Sequence, residues 1–83
     1  MLTNKVIIIT GGLGLVGRSL ANLLVKNNAN VVLLDIKNKD KLKMINDFDK
    51  YKKFITYYKC NVTNKKSLET VSKKILKKFK NIN

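Results

Sequence analysis

Proline, histidine and tryptophan are missing from this sequence, and cysteine occurs once, as Cys60. Without histidine there is no thiol–imidazole pair and no zinc cluster within the chain. A single thiol cannot close an internal disulfide, and Cys60 reads most simply as a small buried hydrophobe. Long apolar runs are also lacking. Val6 to Ile9 is four residues long and leads straight into glycines, without the pattern of a cleaved secretory signal. No stretch approaches the ~20 apolar residues that span a bilayer. A membrane partner is therefore not expected, and a reduced, cytoplasmic setting is the default.

Acidic residues are scarce: 5 against 18 basic ones, for a net charge of +13. Such a field attracts polyanions. Seventeen of the basic residues are lysine, spread from Lys5 to Lys80, and only Arg18 is arginine. Phosphate and base readers lean on arginine forks, so a nucleic-acid role is disfavoured. A hydrophobic share of 45% over 83 residues suits one small globular unit.

What the chain does have is order. Val6-Ile7-Ile8-Ile9 is a β-branched run, apolar on both faces, as a buried parallel strand should be. From Val16 to Lys26, Leu20, Ala21, Leu23 and Leu24 recur at helical spacing. Asn27 to Asn30 ends that helix, because Asn tolerates a left-handed cap. Val31 to Leu34 is a second buried strand, stopped by Asp35. Asn38 to Lys53 is expected to form one solvated amphipathic helix with Leu42, Ile45 and Phe48 on its apolar face. Phe54 to Cys60 reads as a third strand, with Tyr51, Tyr57 and Tyr58 as packing residues around it. Thr63 or Asn64 can cap a last helix, whose apolar stripe is Leu68, Val71, Ile75, Leu76 and Phe79. Strands alternating with helices call for crossovers and a parallel sheet. The expected fold is α/β: three parallel strands in a β-α-β-α-β-α order, a truncated doubly wound sheet and so a Rossmann-type half fold.

All four glycines fall between Gly11 and Gly17. Gly12, Gly14 and Gly17 satisfy G-x-G-x-x-G between a predicted strand and a predicted helix, the setting that gives the string its meaning. A pyrophosphate needs backbone N–H donors at a helix N-terminus and no side chains in its way. Asp35 lies eighteen positions after Gly17, close to the ~20 expected of an acid that binds the adenosine ribose. A carboxylate there accepts from both ribose hydroxyls and repels a 2′-phosphate, which favours NAD over NADP, although Lys37 nearby softens the preference. The plainer readings are a tight βα turn for the glycines and a strand-end turn residue for Asp35.

These motifs resemble the N-terminal third of the short-chain dehydrogenase/reductase family. Lys5 to Gly12 resembles its opening strand and turn, Val31 to Ile36 its second strand, and Asn61-Val62-Thr63 its Asp-Val-Thr segment. The resemblance favours the classical type, on the long last helix and the run Asn81-Ile82-Asn83. The glycine spacing also fits the extended type, which includes nucleotide-sugar epimerases and dehydratases. By resemblance, Gly11, Gly14, Leu15 and Val16 surround the pyrophosphate, Asp35 and Ile36 hold the adenosine, and Asn61 and Val62 flank the adenine. Asn61 stands where the family has Asp, so its amide oxygen would accept from the adenine amino group without a charge.

The resemblance also implies that the catalytic Ser and Tyr-x-x-x-Lys follow residue 83, so no catalytic residue is assigned. Residues 1–83 are then expected to be the incomplete N-terminal part of an NAD(P)-binding domain. The full-length parent would act on a small-molecule substrate, as a monomer or an oligomer. The first strand would be left as an unpaired edge, and the chain alone would bind NAD poorly and catalyse nothing. The alternative is a non-catalytic nucleotide-binding or interaction module.

Overall fold

The computed structural model describes residues 4–37, 39–45 and 47–80. Its three strands are β1 (Val6–Thr10), β2 (Asn30–Asp35) and β3 (Ile55–Lys59). They pair in parallel in the order β1-β2-β3, with Ile9 opposite Leu33 and Leu33 opposite Tyr57. Two helices cover the faces, α1 (Leu15–Lys26) and α3 (Lys65–Lys78). The parallel α/β architecture is the one the alternation of apolar runs predicts.

The central strand carries the core. Val31 and Leu33 face α1 and are buried with Ile9, Ala21 and Val25. Val32 and Leu34 face the other way and are buried with Cys60, Val71 and Ile75 of α3. Each such side chain stabilises the fold by about 1.5–3 kcal/mol, so β2 has to be apolar on both faces. The stripe α1 presents to the sheet is Gly17, Ala21 and Val25. Small residues at four-residue spacing let the helix lie close to the strands. Leu20 and Leu23, which recur at helical spacing with Ala21 and Leu24, are exposed.

β1 is apolar on both faces, but on the α3 side only Val6 packs against the core. It sits at the sheet edge among the described residues, as expected for this chain, and Ile8 is 50% exposed. α3 is likewise covered only in part. Val71 and Ile75 are buried and Phe79 packs on them, but Leu68 and Leu76 of the expected stripe are exposed.

The segment expected as one helix from Asn38 to Lys53 is broken. A 3-10 turn covers Lys39–Met44, a single α-turn α2 covers Phe48–Tyr51, and a second 3-10 turn covers Lys52–Phe54. Asp47 takes a left-handed conformation between them, with φ 57°. Asn38, where the helix was to start, lies outside the described residues, as does Asn81-Ile82-Asn83. The apolar positions explain the break. Leu42, Ile45, Phe48, Tyr51 and Phe54 recur every third residue, and all five pack into the α1-side core. A spacing of three matches 3.0 residues per turn, whereas an α-helix drifts away from it.

Candidate functional site

The turn after β1 is built on glycine for steric reasons. Gly11 has φ +64°, a region side chains disfavour. A Cβ on Gly17 would lie 2.7 Å from the Gly11 carbonyl oxygen and 2.7 Å from Gly12 Cα. One on Gly12 would lie 2.7 Å from Leu33 Cδ2. Gly17 therefore lets α1 pack against the turn itself, and Gly12 lets the turn sit on β2. Gly14 differs. A Cβ there meets only the Gly11 carbonyl oxygen, at 3.4 Å, so nothing among the described residues needs that position empty.

Gly14 is also the residue before α1, and no side chain caps the helix. The first N–H groups of a helix have no intrahelical partners, and the helix dipole places positive potential there. Leu15 and Val16 stand exposed at this end. The first turn holds no acidic residue that would occupy it.

Asp35 closes β2 and ties the site together. It is only 8% exposed. Its Oδ2 accepts from the Leu13 backbone N–H at 2.9 Å, and its Oδ1 accepts from the Lys37 N–H at 3.0 Å. The Leu13 side chain is buried in the core, and the Gly12 N–H donates to the Leu34 carbonyl at 3.2 Å. The glycine turn is thus pinned to the end of β2 at successive residues. Burial pushes the Asp35 carboxyl pKa upward. The backbone N–H groups of Lys37, Leu13 and Ile36 and the Lys37 charge outweigh it, and the net effect holds the pKa below its ordinary value.

Gly11, Leu34, Asp35, Ile36, Cys60, Asn61 and Val62 line one cleft of about 230 Å³ at the C-terminal ends of the strands. Four of these, Asp35, Ile36, Asn61 and Val62, are the residues read from the sequence as the adenosine side of a site, and Gly11 was read as part of its pyrophosphate side. Leu34 and Cys60 are additions. Cys60 was read as a small buried hydrophobe, which it is, but its place just before Asn61 also puts it on the cleft wall. Gly12 and Gly17 lie beneath the turn, not in this cleft. Leu15 lines a larger hollow of about 370 Å³ along α1 with Arg18, Ser19, Asn22, Met44 and Ile45.

Asn61 is committed differently from expectation. Its Oδ1 accepts from both the Thr63 N–H, at 3.0 Å, and the Thr63 hydroxyl, at 2.6 Å. An amide oxygen has two lone pairs, and both are used here. The expected bond from the adenine amino group has no acceptor left on Asn61, only an amide NH₂ that donates. Next to it, Asn64 caps α3 by accepting from the Ser67 N–H at 3.0 Å. The Ser67 hydroxyl reaches Cys60 Sγ at 3.7 Å.

A parallel sheet with a glycine turn between its first strand and helix, and an acid at the end of its second strand, defines a Rossmann-type α/β unit. Residues 5–83 match the short chain dehydrogenase family. The chain belongs to that family. No curated protein matches it. Solved structures do. A short chain dehydrogenase from Bacillus anthracis is 26% identical, with a TM-score of 0.79 over 96% of this chain and 33% of its own. A citronellol catabolism dehydrogenase from Pseudomonas aeruginosa is 25% identical, with a TM-score of 0.81 over 99% of this chain and 34% of its own. A short-chain dehydrogenase/reductase of unknown function from Caenorhabditis elegans, whose structure includes a cofactor, shares the fold at 24% identity, with a TM-score of 0.78 over 99% of this chain and 31% of its own. The chain spans about a third of the length of the structures it matches.

Proposed function

We propose that this chain supplies the adenosine-diphosphate half of an NAD(H) site, as the N-terminal part of a short-chain dehydrogenase that oxidises or reduces a small-molecule substrate. The observation that carries the reading is Asp35. Its carboxylate is held by backbone N–H bonds to each oxygen at the wall of the cleft, where it can accept from a ribose hydroxyl. A 2′-phosphate would meet that fixed negative charge, so NAD is the cofactor and NADP is disfavoured. The uncapped N-terminus of α1, with Gly14 leaving space beside it, suits the pyrophosphate. The cleft between Ile36 and Val62 suits the adenine. Bound there, the dinucleotide would supply hydride chemistry at its nicotinamide end. Among the described residues no helix is long and apolar enough to cross a membrane, and a cytoplasmic setting is part of the proposal.

ADP is the probe that needs only this half of the site. Titrated into the chain and followed by amide chemical shifts, it is expected to move Gly14, Leu15, Val16, Ile36 and Val62. NAD should bind about as weakly as ADP, because its nicotinamide half finds little to touch. Shifts scattered over the lysine-rich surfaces instead would mean charge attraction without a site.

A further inference from the structure

Tyr57 lies on β3, two residues before Lys59, on the face that packs against α1. Opposite Leu33 in the sheet, its ring runs along β2 toward the strand end. The hydroxyl reaches the Asp35 carbonyl at 3.1 Å and also the Lys37 carbonyl. A phenol has one O–H to donate and here shares it between two carbonyls of one turn. Burial and the Asp35 charge both raise its pKa, so the group stays a donor at neutral pH.

The turn it holds is short and carries opposite charges. Asp35 is buried at its start, Ile36 is exposed, and Lys37 follows. The Lys37 N–H is the donor that fixes Asp35 Oδ1. If the Lys37 carbonyl swings, the peptide before it moves too, and the carboxylate loses one of its two anchors. The turn then holds the acid less firmly beside the Lys37 ammonium, which weakens its exclusion of a 2′-phosphate.

We infer that Tyr57 is a positioning residue for nucleotide selectivity, clamping the Asp35–Lys37 turn so that the Asp35 carboxylate stays aimed at the ribose. This rests on the assignment of Asp35 proposed above. Phenylalanine at this position keeps the ring and removes only the clamp.

The test is Tyr57→Phe in this chain, titrated with ADP and with 2′,5′-ADP beside the wild type, with amide hydrogen exchange recorded without nucleotide. The wild type prefers ADP. The variant should lose about fivefold of that preference, the scale of one net hydrogen bond. Exchange at the Lys37 amide should quicken while the β2 amides stay protected. An unchanged preference with unchanged Lys37 exchange overturns the assignment. A variant that no longer folds also overturns it, since Tyr57 would then hold the fold and not the turn. A wild type without preference for ADP refutes the Asp35 reading, and Tyr57 loses its selectivity role with it.

Discussion

The Leu13 backbone N–H donates to Asp35 Oδ2 at 2.9 Å, across 22 residues of sequence. One bond thus makes the acid at the end of β2 both a structural anchor of the glycine turn and the candidate ribose acceptor. Asp35→Ala should therefore cost stability as well as nucleotide affinity. Leaving the buried Leu13 N–H without an acceptor costs about 2 kcal/mol. Urea denaturation measures it, and Asp35→Asn, which keeps one acceptor oxygen, should cost less.

The same anchoring sets a pH dependence. The Asp35 pKa is lowered in the folded chain, so its stabilising contribution is present above the unfolded value, about 3.9, and is lost as pH falls through the lower folded value. Urea midpoints of wild type and Asp35→Asn should therefore differ most at neutral pH. They should converge below about pH 4 as the carboxylate is protonated.

Two glycines three positions apart should respond oppositely. Gly17→Ala forces a Cβ to within 2.7 Å of backbone and is expected to destabilise the chain by about 2 kcal/mol or more. Gly14→Ala meets only one atom, at 3.4 Å, and should change stability by less than about 1 kcal/mol. It should nevertheless abolish ADP binding, because its methyl occupies the space kept for phosphate. Thermal melts and ADP titration of the two variants separate these effects.

The Asn61 oxygen is consumed by Thr63. A carboxylate has a second oxygen, so Asn61→Asp can keep the Thr63 turn and still accept from the adenine amino group. ADP affinity should rise by about fivefold or more, as for a charge-assisted bond. Calorimetry reads it directly. No gain would mean that the adenine does not sit against Asn61.

Local patterns carried most of this fold in the sequence itself. The apolar runs of β1 and β2, the glycine turn and Asp35 are each specified by neighbouring residues. Asn28 takes the left-handed conformation, φ 67°, after α1 that its residue type predicts. The segment before β3 was misread as one helix, although its apolar residues recur every third position. Reading that spacing as an α-helical face, a period of 3.6, hid the 3-10 turns. Side-chain exposure on α1 and α3 was not legible, because Leu20, Leu23, Leu68 and Leu76 fit an apolar stripe equally well whether or not a neighbour covers them. In the site, the Asp35–Leu13 bond and the Tyr57 clamp were invisible, since both join residues separated by about a quarter of the chain.

The most direct test of the account is calorimetric titration of the chain with ADP, wild type beside Asp35→Asn, with 2′,5′-ADP as the control. The account predicts that wild type binds ADP and discriminates against the 2′-phosphate, and that Asp35→Asn keeps the fold but loses most of that discrimination. Equal binding of both nucleotides by wild type, or an unchanged preference in Asp35→Asn, would contradict it.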